Sequence, residues 1–269
     1  MEAREKFEKL KGTIKSYGSL AVAFSGGVDS SFLLKVARDV LGDGVVAITA
    51  RPVFFTEREQ TEAADFCRRE NIRHIFCETE ELNIEGIVEN RPDRCYLCKN
   101  EILTKIKEAA KPFGLKYIAD GSNSDDDNDY RPGFRAVIEH DIKSPLREVG
   151  FTKAEIRELS REMGLLTWDK KYVSCLASRF PYGEAITREK LAMVERAEGL
   201  LSELGFSQFR VRVHGTVARI EIEPSEFDRM VEPETARRVY DGFKGCGFAY
   251  AALDLRGYRT GSMNETLKL

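Results

Sequence analysis

The sequence predicts an α/β protein in which a parallel sheet, covered by helices on both faces, is followed by a smaller α+β domain. Up to about residue 170, apolar runs alternate with amphipathic segments, a pattern typical of strands joined by crossover helices. Beyond that point the pattern changes to short alternating runs between helices. The chain has 269 residues, of which 42% are hydrophobic, enough for one domain at 1–170 and a second at 171–269.

The predicted elements of the first domain alternate in type. In chain order they are a helix at about 2–17, a strand at 20–24, a helix after the loop at 25–31, a strand at 45–48, a helix at about 57–70, a strand at 72–77, a helix at about 95–113, a strand at 115–119, a polar loop at 120–133, and a helix that follows a capping box at Thr152 and Glu155 and ends before Gly164. A parallel sheet of this kind binds ligands at the C-terminal ends of its strands.

The second domain begins with a loop rich in functional residue types. Its predicted elements are a helix at about 187–204, strands at 209–214 and 217–222, helical segments to about 243, and a last strand near 248–253. The period of two places Arg210 and Arg212 on one face of their strand and Val211 and Val213 on the other.

Composition narrows the classes of partner. A net charge of −3 and a pI near 5.9 give no global basic field, so we expect no stable binding to nucleic acid. No apolar run is long enough to cross a bilayer and the charged start lacks a signal-peptide core, so we expect a cytoplasmic protein. In that compartment the six cysteines are core, metal-binding or catalytic thiols rather than a disulfide framework.

The loop Ser25-Gly-Gly-Val-Asp-Ser-Ser31 follows an apolar strand and precedes a helix. Amide N–H groups and the positive end of the helix dipole converge at such a turn, which favours binding of phosphate. A Walker A loop would carry a lysine here, and this turn has none, so a kinase-like or GTPase-like site is disfavoured. The alternative is a glycine-rich turn that binds no ligand.

Cys95 and Cys98 open a helix one turn apart, and Cys175 begins the distant segment Cys-Leu-Ala-Ser-Arg. Histidine and cysteine spacing does not suit a four-ligand structural zinc site. A redox pair, or ordinary packing of a helix start, would account for Cys95 and Cys98 alone. Three thiolates could instead hold a 4Fe-4S cluster with one iron open.

Several segments together resemble the LarE family of sulfur transferases, in the PP-loop ATP pyrophosphatase (adenine nucleotide alpha hydrolase-like) superfamily. The resemblance covers nearly the whole chain and depends most on the Cys175-Leu-Ala-Ser-Arg179 segment. The matching segments are Ser25–Ser30, Asp120–Asn123 with Asp125 and Asp126, Asp129–Gly133, Ser144–Leu146, Trp168–Lys170, Cys175–Arg179 and Arg210–Arg212 with His214. Lys171 and Ser174 depart from the pattern, since we expect prolines before the cysteine.

The resemblance implies that ATP adenylylates a carboxylate of a pyridinium-3,5-dicarboxylate mononucleotide, and that sulfur then displaces AMP, in the synthesis of the nickel-pincer cofactor of lactate racemase. A carboxylate accepts a sulfur nucleophile once its oxygen can leave as AMP. In one branch Cys175 gives up its own sulfur and becomes dehydroalanine. In the other, three cysteines hold a 4Fe-4S cluster that carries a transferable sulfide. All three are present here, so we expect the cluster branch, in a homo-oligomer whose second domain binds substrate.

The resemblance also implies site residues, one position at a time. For ATP they are Ser25, Gly26, Gly27, Asp29, Ser30, Lys99, Gly121 and Asp126, with Asp29 and Asp126 sharing Mg²⁺; for the mononucleotide they are Tyr96, Ser178, Arg179, Glu198, Arg210 and Arg212; for the cluster they are Cys95, Cys98 and Cys175, of which Cys175 is catalytic.

Each assignment has a plainer alternative. The arginines could lie on a solvated strand face, the aspartates could belong to an acidic surface loop, and Lys99 could lie on an outer helix face. Cys67, Cys77 and Cys246 are predicted to be core or incidental thiols. The competing functions are a tRNA thiolase, an ammonia-using amide-forming synthetase that needs none of the cysteines, and a non-catalytic nucleotide sensor.

Overall fold

The computed structural model describes residues 2–128, 133–171, 174–259 and 261–266. The chain forms two compact units, each built from two segments. Unit 1 contains Met1–Glu81 and Cys95–Val173, and unit 2 contains Leu82–Arg94 and Ser174–Leu269. The sequence prediction has a single boundary, whereas here the segment 82–94 leaves unit 1 and packs with the C-terminal part of the chain.

Helices and strands alternate through unit 1. They are α1 (Ala3–Tyr17), β1 (Leu20–Ala23), α2 (Val28–Leu41), β2 (Val45–Arg51), α3 (Glu57–Arg69), β3 (Arg73–Glu78), α4 (Arg94–Ala110), β4 (Tyr117–Ala119), α5 (Phe134–Glu139), α6 (Pro145–Val149) and α7 (Lys153–Glu162). The predicted strands and long helices are present within a few residues of their expected ends. The short helices α5 and α6 lack a strong apolar period, and the sequence did not predict them.

The four strands are all parallel, in the order β3-β2-β1-β4. The chain leaves β1 toward β2 on one side, and β4 pairs with β1 on the other. This change of direction makes the C-terminal end of β1 the topological switch point, where open α/β sheets bind ligands. The predicted doubly covered parallel sheet is confirmed.

The core of unit 1 lies on both faces of this sheet. Leu20 and Val22 of β1 pack into a cluster with α1, α2, α3 and α7, whereas Ala21 packs into a second cluster with α4 and α5. All three side chains have no exposed surface. A strand buried on both faces reads as a continuous apolar run, which is the pattern that identified β1 in the sequence.

Unit 2 is an α+β arrangement. Its elements are α8 (Arg188–Glu203), β5 (Phe209–His214), β6 (Val217–Ile222), α9 (Phe227–Val231), α10 (Pro233–Cys246) and β7 (Tyr250–Leu253). β5 pairs antiparallel with β6, and β6 pairs parallel with β7. No helix in the described part of either unit is long and apolar enough to cross a membrane.

The start of α7 is fixed by the predicted capping box. The Thr152 hydroxyl accepts from the Glu155 amide at 3.3 Å, and the Thr152 amide donates to Glu155 Oε2 at 2.8 Å. Lys6 of α1 pairs with the same carboxylate at 2.8 Å. These contacts determine where the first turn of α7 lies in unit 1.

Thr152→Ala removes the cap and is expected to lower the free energy of unfolding by about 1 kcal/mol, measured by urea denaturation. Thr13→Ala serves as the control, because the Thr13 hydroxyl only donates to the Lys9 carbonyl on an exposed part of α1. Equal effects of the two substitutions would contradict the capping assignment.

Candidate active site

The loop between β1 and α2 is held in place by its own side chains. Gly26 has a φ of +70°, which glycine adopts without steric cost. Ser25 Oγ accepts from the Gly27 amide at 3.4 Å and lies 3.1 Å from Ser30 Oγ, which donates to the Gly27 carbonyl at 3.2 Å. The first turn of α2 therefore presents amide groups that have no acceptor within the helix, as phosphate binding requires.

The end of β4 touches this loop directly. A Cβ atom on Gly121 would lie 2.8 Å from the Ser30 amide nitrogen and 3.0 Å from its Cα. No side chain fits at that distance, so only glycine allows the strand end to pack on the first turn of α2. This contact explains in steric terms why Gly121 belongs beside the ATP site.

Asp120 organises the turn that follows β4. It is 4% exposed, and its oxygens accept from Ser122 Oγ at 2.7 Å and from Ser144 Oγ at 2.8 Å. Lys99 Nζ lies 3.9 Å from Asp120 Oδ2, so Lys99 extends toward the C-terminal edge of the sheet. This contact does not fit the alternative in which Lys99 lies on an outer helix face.

Asp29 lies in the first turn of α2, where Lys153 Nζ donates to its Oδ2. Its other oxygen, Oδ1, is buried and has no hydrogen-bond partner. Burial raises the pKa of Asp29 above its ordinary value, the Lys153 ammonium opposes that rise, and the negative charge of Asp126 adds to it. An orphaned carboxylate oxygen beside a second carboxylate suits a hard divalent cation, so Asp29 and Asp126 fit the predicted Mg²⁺ site.

The loop that carries Asp126 is built from short-range hydrogen bonds. Asp126 Oδ2 accepts from the Asn123 amide at 3.0 Å, and Asp125 Oδ2 accepts from the Lys153 amide at 2.8 Å. Asp125 therefore accepts from the first turn of α7, whereas Asp126 carries the negative charge that raises the pKa of Asp29. The adjoining motif residues Asp129–Pro132 lie outside the described residues.

Two lysines that were given no site role in the sequence prediction lie at the loop. One is Lys153; the other is Lys170, whose ammonium donates to the Gly26 carbonyl at 2.9 Å and pairs with Glu62 at 2.7 Å. Arg157 of α7 donates to the carbonyls of Trp168 and Lys170 at 2.6 and 2.7 Å, which fixes that turn. The Trp-Asp-Lys motif could have indicated from the sequence that Lys170 lies at this site. Nothing local in the sequence indicates that Lys153 pairs with Asp29.

Cys95 and Cys98 lie on the first turns of α4, where Cys95 is exposed and Cys98 half-buried. Between them, Tyr96 donates to Glu139 Oε2 at 2.7 Å and lies beneath the Arg135 guanidinium. Tyr96 is therefore packed between α4 and α5, and its predicted contact with substrate remains a prediction. Among the described residues, no three Cys, His, Asp or Glu side chains are gathered closely enough to hold a metal ion.

Two other cysteines have the properties of core thiols. Burial raises the pKa of Cys67 to about 12 and that of Cys77 to about 11. Thiols with such pKa values are poor sources of thiolate at neutral pH. These two side chains are thus unsuited to metal binding or nucleophilic attack.

In unit 2, Cys175 is the N-cap of a single 3-10 turn, Leu176–Arg179. The Arg179 side chain is 1% exposed and holds this turn from within: its Nη1 donates to the carbonyls of Ser174 and Cys175 at 2.7 and 3.1 Å and to Ser178 Oγ at 3.0 Å. Ser174 Oγ also accepts from Nη1 at 2.7 Å. The serine that replaces an expected proline therefore takes part in the clamp.

Glu198 completes the clamp. Its two oxygens accept from Arg179 Nε and Nη2 at 2.9 and 2.8 Å, in bidentate geometry, and Oε1 also accepts from the Val211 amide at 3.0 Å. A buried guanidinium fixed in this way has a positioning role in the Cys175 turn. Direct contact of Arg179 and Glu198 with substrate stays a prediction.

The two arginines of β5 are buried, 7% exposed for Arg210 and 5% for Arg212, so they do not lie on a solvated strand face. Arg212 donates to Glu221 Oε2 at 2.8 Å and to the Ser178 carbonyl at 3.0 Å. Burial lowers the pKa of Arg210, and the positive charge of Arg179 lowers it further. Such surroundings favour an anionic ligand at Arg210.

The predicted residues thus fall into two groups. Those assigned to ATP lie around the C-terminal ends of β1 and β4 in unit 1, and the substrate residues other than Tyr96 lie around the Cys175 turn in unit 2. Cys175 belongs to the second group by chain position.

Relatives of this chain span its whole length. An uncharacterized protein of Synechocystis sp. is 40% identical over 97% of this chain and 98% of that protein. The pyridinium-3,5-bisthiocarboxylic acid mononucleotide synthase of Lactiplantibacillus plantarum is 37% identical over 96% of this chain and 93% of the synthase. The chain belongs to the LarE family of ATP-dependent sulfurtransferases. The sequence-based assignment is confirmed at this level, although no protein-family profile matches the chain.

The chain is also similar to ATP-using synthetases. A glutamine-hydrolyzing GMP synthase chain of Thermoplasma volcanium is 27% identical over 76% of this chain and 70% of its own length. The parallel sheet and the loop after β1 agree with that relationship. ATP use by this chain follows from both.

Gly121→Ala places a methyl group against the Ser30 backbone. We expect a loss of about 1 to 3 kcal/mol in the free energy of unfolding and weaker ATP binding, measured by urea denaturation and calorimetry. Gly12→Ala is the matched control, since its Cβ would meet nothing within 4 Å. Wild-type stability and affinity in Gly121→Ala would contradict the proposed steric contact.

Arg210 and Arg212 are expected to respond differently to replacement by methionine. Arg212→Met leaves the buried Glu221 without its main cation and is expected to cost about 3 to 5 kcal/mol of stability. Arg210→Met relieves repulsion by Arg179, so its unfolding free energy is expected to change little while stabilisation by added phosphate is lost. Thermal and urea unfolding with and without phosphate measure both effects; equal destabilisation by the two variants would refute the distinction.

Proposed function

We propose that this protein activates a carboxylate of a pyridinium-3,5-dicarboxylate mononucleotide with ATP and replaces oxygen with sulfur to give the thiocarboxylate, for a nickel-pincer cofactor. The observation that carries the proposal is the match to the L. plantarum synthase over 96% of the chain, which spans both the ATP unit and the unit of Cys175. A cytoplasmic location, a homo-oligomer and the use of the product by lactate racemase remain predictions.

The first step is adenylylation. The loop at Ser25–Ser30 binds the triphosphate through backbone amides, and the half-buried carboxylate of Asp29, with Asp126, would hold Mg²⁺, which neutralises phosphate charge when bound. A substrate carboxylate oxygen attacks the α phosphorus, an O–P bond forms, and pyrophosphate leaves with the electrons of the broken P–O bond. In unit 2, Arg210 suits the phosphate of the mononucleotide.

The second step is attack by sulfur on the acyl carbon. The new C–S bond forms as the C–O bond to AMP breaks, and AMP leaves with that electron pair. The Arg179 clamp fixes the backbone of the Cys175 turn, so the Cys175 sulfur has a defined position whether it ligates a cluster or is itself the donor. This order makes the adenylate of the first step the substrate of the second.

For the source of sulfur we propose a 4Fe-4S cluster ligated by Cys95, Cys98 and Cys175, whose open iron would carry the transferable sulfide. Three thiolates match the ligand number of such a cluster. The described residues do not gather three metal-binding side chains, so the number and type of donors are what support this assignment. The second candidate is sacrificial use of Cys175, favoured by its place in the clamped turn.

The iron and acid-labile sulfide of protein prepared without oxygen distinguish the two sources. Under the cluster proposal, wild type binds both after anaerobic reconstitution, Cys98→Ala loses most of them, and Cys77→Ala keeps them, because Cys77 is a half-buried thiol with a raised pKa. Under the sacrificial alternative, iron binding is absent, and intact mass after one turnover shows loss of the elements of H₂S at Cys175. Thiocarboxylate formation unaffected by alanine at all three cysteines would refute both.

A further inference from the structure

We propose that Lys153 is a placeholder cation in the ATP site: its ammonium group occupies the Asp29 carboxylate while no metal is bound, and moves to the phosphates of ATP when Mg²⁺ takes that carboxylate. The proposal rests on the proposed function, since it concerns the same ATP site. It assigns a binding role to a residue that no sequence motif indicated.

Asp29 has one satisfied and one unsatisfied oxygen. Oδ2 accepts from Lys153, whereas Oδ1 is buried without a hydrogen-bond partner, although the side chain as a whole is 20% exposed. A buried carboxylate oxygen without a partner is costly. The Lys153 ammonium is thus a partial substitute for a metal ion, which would contact both oxygens or bring further ligands.

The Lys153 side chain can leave Asp29 without moving its helix. The backbone amide of Lys153 donates to Asp125 Oδ2 at 2.8 Å, and the Thr152 capping box fixes the same turn. Neither contact involves the ammonium group. The side chain is also 32% exposed, which gives it room to change rotamer.

Lys170, the other lysine at this loop, is held differently from Lys153. That ammonium has acceptors on the Gly26 carbonyl at 2.9 Å and on Glu62 at 2.7 Å, and its backbone is held by Arg157. Lys170 therefore fixes the loop from one side. Lys153 instead neutralises the residue that the metal must use, so the two lysines have different tasks.

Because Lys153 and the metal ion compete for Asp29, the binding of metal and the binding of nucleotide are coupled. Without nucleotide, a metal ion must displace an ammonium group that has no phosphate to move to, so binding is weak. When nucleotide is present, the Lys153 ammonium pairs with the phosphates and the metal ion binds the Asp29 carboxylate. Because such coupling is reciprocal, Mg²⁺ strengthens nucleotide binding by the same factor.

The test measures Mn²⁺ as a probe for the Mg²⁺ site, by electron paramagnetic resonance of the unbound ion, with and without α,β-methylene-ATP. Lys153→Met is expected to bind Mn²⁺ roughly tenfold more tightly than wild type without nucleotide, and to lose most of the tightening that the nucleotide brings. Lys153→Gln should behave like Lys153→Met, and Lys153→Arg like wild type. Lys105→Met, which removes a comparably exposed lysine paired with Glu108 at 3.4 Å, should change nothing.

Equal Mn²⁺ affinity in wild type, Lys153→Met and Lys153→Gln would overturn the proposal, even if Lys153→Met binds ATP poorly, because Lys153 would then act on phosphate alone. Mn²⁺ binding retained by Asp29→Asn would also overturn it. The titration requires neither substrate nor sulfur. Failure of the proposed function would appear separately, as wild-type protein that hydrolyses or binds ATP but forms no thiocarboxylate.

Discussion

A half-buried carboxylate at the start of α2, with one oxygen shielded from solvent, is the constraint on which the ATP unit depends. Asp29 is placed there by the turn that also presents the helix amides, so phosphate binding and charge burial occur together. An ionised group in such a position requires a cation, and α7 supplies one from 124 residues further along the chain. The capping of α7 and its packing on α2 can be understood as the means of placing that cation.

Unit 2 also contains buried charged groups that require partners of opposite charge, but there the buried groups are positively charged arginines. Two of its buried guanidinium groups pair with carboxylates, Arg179 with the largely buried Glu198 and Arg212 with the fully buried Glu221. Burial and the positive charge of Arg179 both lower the pKa of Arg210, the third arginine of this group. Compensation of buried charge is therefore a requirement that both units share.

Much of this protein could be predicted from its sequence because the relevant signals are local. The apolar run of β1, the glycines after it and the Thr152 capping box each act within a few residues, and each was located correctly. The role of Arg179 as a clamp could not be predicted, because it depends on Glu198 from another helix and on carbonyls of a turn without sequence character. Lys153 was missed for the same reason: its partner is determined by the packing of α7 on α2. The residues for which sequence prediction failed are those whose function is defined by tertiary contacts.

The segment 82–94 has a consequence for how the chain reaches this fold during synthesis. It emerges from the ribosome between β3 and α4, yet Asn90 donates its side-chain amide to the carbonyls of Phe180 and Pro181, at 3.0 and 2.6 Å, and Arg94 donates to the Ala177 carbonyl at 2.9 Å. These acceptors are made much later. The parallel sheet can therefore pair its strands while this loop still lacks its partners, and a chain truncated at residue 170 would lack the acceptors that Asn90 and Arg94 use. Completion of the Cys175 turn is thus also the step that finishes the folding of a segment inserted within the ATP unit.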